Sequence, residues 1–197
     1  AQVLCVRITY VGELGYELYV PAEQAVHVCE RLVDSGRAFA LTHVGLRALS
    51  GLRLEKGYRD YGHDLDNTDN VFEAGLGFAT DFDKPGGFVG RDALLAVRRT
   101  GTPRRRMVQV LLDDPLPLLF HAEVVRRNGT AVGYIRSGSY GHTLGGAVGL
   151  AMVDSGAPIT AAWVDDARWT VDVAGTEVPA TVSLRPLYDP DALRPRS

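Results

Sequence analysis

The 197 residues are 46% hydrophobic and 23% charged, with 21 basic against 24 acidic side chains and a formal net charge of −3. That balance describes an ordinary globular chain of one large domain or two small ones, able to bury a core without metals or disulfides. It excludes a nucleic-acid footprint and a polybasic membrane anchor, and no apolar run reaches the roughly 18 residues of a membrane-spanning helix.

The opening Ala1-Gln2-Val3-Leu4 has neither an initiator Met nor the basic-then-apolar form of a signal peptide, and it reads as a strand already under way. A piece of a longer, cytoplasmic chain is expected. Cys5 and Cys29 form no metal or redox motif, so two reduced, buried thiols are expected.

Residues 3–10 (VLCVRITY) and 16–20 (YELYV) are rich in β-branched and aromatic side chains and predict a hairpin. Pro21 and Gly36 bracket a predicted helix with Ala25, Val28, Cys29 and Leu32 on one face. Thr42 is the expected cap of a second helix, with Val44, Ala48, Leu49 and Leu52 as its apolar stripe. Residues 58–70 are polar and turn-like, 73–81 read as a short strand and 90–99 as a third helix. This order of strands and helices is α+β and not a βα repeat.

Composition changes at residues 100–106 (TGTPRRR), which predicts a boundary giving domains 1–103 and 104–197. Beyond it the apolar period is two. MVQVLLD, AEVVRRNGTAVGYIRSG, AVGLAMV, ITAAWV and RWTVDVAGTEVPATVSL read as closely spaced strands. Asn128-Gly129 is a strong two-residue hairpin signal and Ala174-Gly175 a weaker one. A small antiparallel barrel or sandwich is expected.

Searches for general chemistry find no GxGxxG, P-loop, GxSxG or HExxH, and the five His (27, 43, 63, 121, 142) are too scattered for a zinc site. Tyr61, His63 and Asp64 share one polar loop, with a catalytic and a turn-forming reading both open. Glu17 is a lone carboxylate among Tyr16, Leu18, Tyr19 and Val20, and alternation places it on the face of Tyr19. If that face is core, it needs a partner. Arg47 and Arg53 lie on one helix, where six positions at about 100° each separate them by about 120°. One is expected to pair with Glu17 or Glu55 and the other to face a cleft.

Five stretches carry a family resemblance: YVGELGYELYVP (10–21), GLRALSGLRLEKGYRDYGHDL (45–65), EAGLGF (73–78), DKPGGFVGRDAL (83–94) and SGSYGHTLGGAVGLAMV (137–153). In that order they resemble the glycine-cleavage T-protein (aminomethyltransferase) family. The second stretch is most similar to the folate-binding tails of dimethylglycine and sarcosine dehydrogenases. The resemblance implies a ferredoxin-like lobe, the second half of a folate-binding domain, followed by a small antiparallel β-barrel. It further implies one-carbon transfer from an N-methyl amine or aminomethyl donor to tetrahydrofolate. FAD would belong only to a missing upstream domain. Family members hold folate with a Tyr, a Glu and an Arg whose counterparts here are Tyr10, Glu17 and Arg47. The central catalytic carboxylate would lie in the missing N-terminal region, leaving none here. A related iron–sulfur-repair branch carries a KGC segment, whereas residues 56–64 contain no Cys. A fragment of a free aminomethyltransferase and a non-catalytic packing module of the same fold remain as alternatives.

Overall fold

A computed structural model describes all 197 residues. Two short strands, β1 (Leu4–Val6) and β2 (Glu17–Tyr19), pair antiparallel with Val6 opposite Glu17 and Leu4 opposite Tyr19. Helix α1 (Ala25–Gly36) follows, and the chain leaves it through Ala40 in the left-handed region. Helix α2 (Leu46–Glu55) leads into an irregular stretch that ends in helix α3 (Arg91–Arg99).

The remainder is a closed antiparallel barrel. Its strands are β3 (Arg105–Leu112), β4 (Val124–Arg127), β5 (Thr130–Gly141), β6 (Gly146–Asp154), β7 (Trp169–Val173) and β8 (Thr176–Ser183). They run in the order β3-β6-β5-β4-β7-β8, with β8 returning to β3. The hairpin residues Asn128-Gly129 and Ala174-Gly175 all have positive φ, the geometry that matches the twist of flanking strands. No helix is long and apolar enough to cross a membrane.

Two apolar clusters hold this part together. The larger fills the barrel and draws on alternating positions, such as Val108, Val110 and Leu112 on β3 and Val178, Ala180 and Val182 on β8. The smaller sits on the outer wall, where Leu54 of α2, Leu65 and Ala74 cover Met107, Val148, Leu150 and Met152. Strand β6 is therefore buried on both faces, which is why its sequence is continuously apolar instead of alternating. α2 approaches closely at Gly51, where a Cβ would lie 3.0 Å from the Tyr140 carbonyl.

Several expectations are corrected. Residues 73–81 form turns and a short 3₁₀ segment (Gly77–Ala79), because the loop spends its hydrogen bonds internally. ITAAWV contains not a strand but helix α4 (Ala161–Asp165), nucleated by Thr160, whose side chain accepts from the Trp163 amide. Thr42 caps nothing: its hydroxyl donates to the Ala40 carbonyl and α2 starts at Leu46. The buried face of α2 is Gly51, Arg53, Leu54 and Glu55, while Val44, Ala48 and Leu52 are exposed. Both cysteines are exposed and free. In these last two cases the reason is shared, since no residue of this chain covers the outer faces of β1, β2, α1 and the start of α2.

Stability is expected to track the barrel. Ile135→Ala removes a fully buried side chain from its centre and should cost about 2–5 kcal/mol, whereas exposed Val26→Ala on α1 should stay within about 0.5 kcal/mol. Urea unfolding midpoints of the two variants check this.

Candidate functional site

The last turn of α2 and the residue that caps it carry three charged groups that are almost fully buried, Arg53, Glu55 and Lys56, with buried Leu54 among them. Arg53 forms an ion pair with Asp64, donates to the Tyr58 carbonyl and donates to Ser137 Oγ at 3.0 Å. The Ser137 hydroxyl in turn donates to Asp64, which also accepts from the Asp60 amide. A β-bulge makes this possible. The register of β5 against β6 shifts between Ile135 and Ser137, so that Ile135 fills the barrel while Ser137 points outward into the network. Glu55 Oε1 accepts the amides of Thr143 and Leu144 in the β5–β6 turn. Gln109 Nε2 donates to the carbonyls of Leu54 and Glu55, and its Oε1 accepts the Leu187 amide. In this way the open C-terminal end of α2 is satisfied by the barrel.

Lys56 reaches the C-terminal segment. Its ammonium donates to Asp189 Oδ2 at 2.5 Å and to the Asp189 carbonyl at 3.2 Å. The same carboxylate accepts the amides of Leu193 and Arg194. The Lys56 hydrogen bond, helped by those two amides, holds the Asp189 carboxyl down to about 2. Tyr188 and Arg194 bind Glu13, so residues 185–197 strap the barrel to the N-terminal segment.

Between strap and loop lies a cleft of about 470 Å³, lined by Tyr10, Tyr58, Arg59, Leu76, Phe78 and Pro186 among others. The Tyr10 hydroxyl is buried and has no hydrogen-bond partner. Burial raises its pKa above 10, with Arg53 opposing and Asp60 and Asp64 adding to the rise. Phe78, 88% exposed, stands on the rim. Sequence reading missed Phe78 because it took residues 73–81 for a strand; an aromatic beside a Gly-rich turn was the available signal.

The three sequence-derived site residues do not share one cleft. Tyr10 lines the cleft just described. Arg47 is exposed and stands between two others, one of about 410 Å³ with Tyr140 and His142 and one of about 290 Å³ with Leu118 and Phe120. Glu17 lines none of these; it is exposed and accepts the Tyr19 hydroxyl at 2.8 Å, on the face that alternation indicates. Arg53 is buried and Arg47 is not, so the two do separate, but the partner of Arg53 is Asp64 and not Glu17 or Glu55. Of the polar loop, Asp64 is a structural anchor, while Tyr61 and His63 stay exposed, His63 stacking on His121 at 5.9 Å. No three or more His, Cys, Asp or Glu side chains are arranged to hold a metal ion.

Two family models match the chain in order. The N-terminal domain of the glycine-cleavage T-protein matches residues 1–84, and the T-protein C-terminal barrel domain matches residues 105–189. The chain belongs to the glycine-cleavage T-protein family. The glycine-cleavage aminomethyltransferase T of Bartonella henselae superposes with a TM-score of 0.80 at 25% identity, over 94% of this chain and 50% of that one. Among curated T-protein-family relatives, the formaldehyde-forming 4-methylaminobutanoate oxidase of Paenarthrobacter nicotinovorans is 46% identical over 96% of this chain. Mouse mitochondrial sarcosine dehydrogenase is 34% identical over 98% of it. The chain spans about a fifth of the length of these two relatives (22% and 21%).

The Lys56–Asp189 pair sets an acid limit on the strap. A carboxyl whose folded pKa lies below its ordinary 3.8 stabilises the fold above that value and loses the effect as pH falls through about 2. Asp189→Asn should therefore lower the melting temperature at pH 6 and leave a shallower decline between pH 4 and 2, read by thermal melts across that range.

Proposed function

We propose that this chain forms the folate-binding wall of an enzyme that transfers a one-carbon unit from an N-methyl amine or aminomethyl donor to tetrahydrofolate. The observation that carries the reading is the cleft of Tyr10, Tyr58 and Phe78 in a chain of this family. Aromatic walls suit a flat pterin or aminobenzoyl ring, and the orphaned Tyr10 hydroxyl supplies a donor that nothing in the protein uses. Tetrahydrofolate, when bound, supplies the nitrogens that accept the one-carbon unit. Tyr10 lies in this cleft, whereas Glu17, a fit for the amino-pyrimidine edge, and Arg47, a fit for an acidic end of the ligand, stand outside it and would join the site only when the rest of the enzyme closes over this face.

The fragment's own carboxylates are poor candidates for the central acid–base role. Asp64 is spent on Arg53 and Ser137, Glu55 on two backbone amides, and Asp189 on Lys56. We therefore propose that role for another region of a longer enzyme, N-terminal to this segment, and the same region would cover the exposed apolar faces of β1, β2 and α1. A FAD-dependent amine dehydrogenase domain farther upstream is the partner we favour over a free aminomethyltransferase, because a formaldehyde-forming 4-methylaminobutanoate oxidase shares 46% identity along nearly the whole chain. Residues 1–103 and 104–197 would then serve as lobe and barrel of one module.

In the full-length enzyme, Glu17→Ala should weaken tetrahydrofolate binding by about 1.5–3 kcal/mol, on the order of tenfold to a hundredfold in Kd. Amine oxidation should persist while formaldehyde replaces methylene-tetrahydrofolate as product. Separate assays of the two products check it, and an unchanged ratio with unchanged affinity would leave Glu17 only its bond to Tyr19.

A further inference from the structure

Arg59 and Arg106, like Arg127 and Arg136, are partly buried with no carboxylate within ion-pair distance, and they are the two that meet at one glycine. Arg59 donates to the carbonyls of Gly57 and Ala74, and Arg106 donates through Nη1 to the Phe72 carbonyl. Those bonds fix both guanidinium planes but leave each Nη2 free. The Nε of Arg106 is also buried without a partner. The two free Nη2 atoms converge on Gly75, lying 2.9 and 3.5 Å from the position a Cβ there would occupy. Gly75 lines the cleft beside Arg59, has φ +73, and carries no side chain to fill the gap between the two cations.

Two desolvated like charges side by side are costly unless something of opposite sign joins them. Burial, reinforced by Arg106, holds the Arg59 guanidinium down to about 10, and burial also lowers that of Arg106. Asp64, the carboxylate whose charge acts on Arg59, is already held by Arg53 and Ser137. Paired guanidinium groups with donors fixed by backbone carbonyls match a planar, two-oxygen anion.

We propose that Arg59 and Arg106 form a carboxylate-binding pair over Gly75, with Arg59 and Gly75 at the wall of the Tyr10 cleft. The proposal rests on that cleft being the ligand site, and its occupant is either the glutamyl carboxylate of tetrahydrofolate or the carboxylate of an N-methyl amino acid donor.

The test uses the full-length enzyme with Arg59→Gln and Arg106→Gln, and with Arg106→Lys as a variant that keeps charge and fold. Three probes are titrated: tetrahydrofolate, tetrahydropteroate (which lacks the glutamate) and malonate. The expected result is a loss of about tenfold in malonate affinity in both Gln variants, with Arg106→Lys retaining most of it. A matching loss for tetrahydrofolate but not tetrahydropteroate assigns the pair to the folate glutamate. A raised KM for the amino acid donor with folate affinity unchanged assigns it to the donor. Equal losses for tetrahydrofolate and tetrahydropteroate, or no change with any probe or donor, would overturn the pair. If wild type binds malonate through these arginines yet no folate, the folate reading fails and the carboxylate pair stands.

Discussion

The buried ion pair between Arg53 and Asp64 is the constraint on which the arrangement of this molecule depends. Neither charge can be left alone in the space between α2 and the barrel, since an unpaired buried ion costs several kcal/mol. Their pairing therefore fixes three things together: the rotation of α2, the path of the loop after it and, through Ser137, the strand β5. Gln109 and Glu55 extend the same lock, tying the end of the helix to β3 and to the β5–β6 turn.

That lock explains where the cleft forms. Lys56 follows directly from the locked turn of α2, and its bond to Asp189 draws residues 185–197 across the N-terminal segment. Tyr10 enters on one side and the strap on the other, with Arg59 and Gly75 between them. The barrel is complete in itself, whereas the lobe holding Tyr10, Glu17 and Arg47 leaves apolar surface such as Leu4, Val26 and Leu46 in solvent.

Sequence reading recovered the elements whose signals are local. Asn128-Gly129 announced a hairpin, the period-two pattern of residues 168–184 announced β7 and β8, and residues 90–99 announced α3. It failed where the deciding partner is distant. Asp64 is 11 residues from Arg53 and Ser137 is 84, so no periodicity links them, and the polar loop left only a catalytic and a turn-forming reading open. The bulge at Arg136, which turns Ser137 outward, leaves no mark in composition. Cys5, Cys29 and the supposed stripe on α2 were read as core because pattern reports which face is apolar and not whether anything in the chain covers it. The family resemblance, and not pattern, brought Tyr10, Glu17 and Arg47 together as one site, and it could not show that they occupy different surfaces of this segment.

The two-stranded ribbon has a consequence of its own. Closure of the barrel leaves none of its strands with an unpaired flank, but β1 and β2 pair only with each other and each keeps one free row of backbone donors and acceptors. Their side chains, Leu4, Cys5, Leu18 and Tyr19, are apolar or oxidisable and face solvent. When this segment is produced by itself, those flanks are templates for the same strands of a second molecule. Losses in handling would then grow with the square of protein concentration and respond to thiol reductant, while the folded barrel takes no part in them.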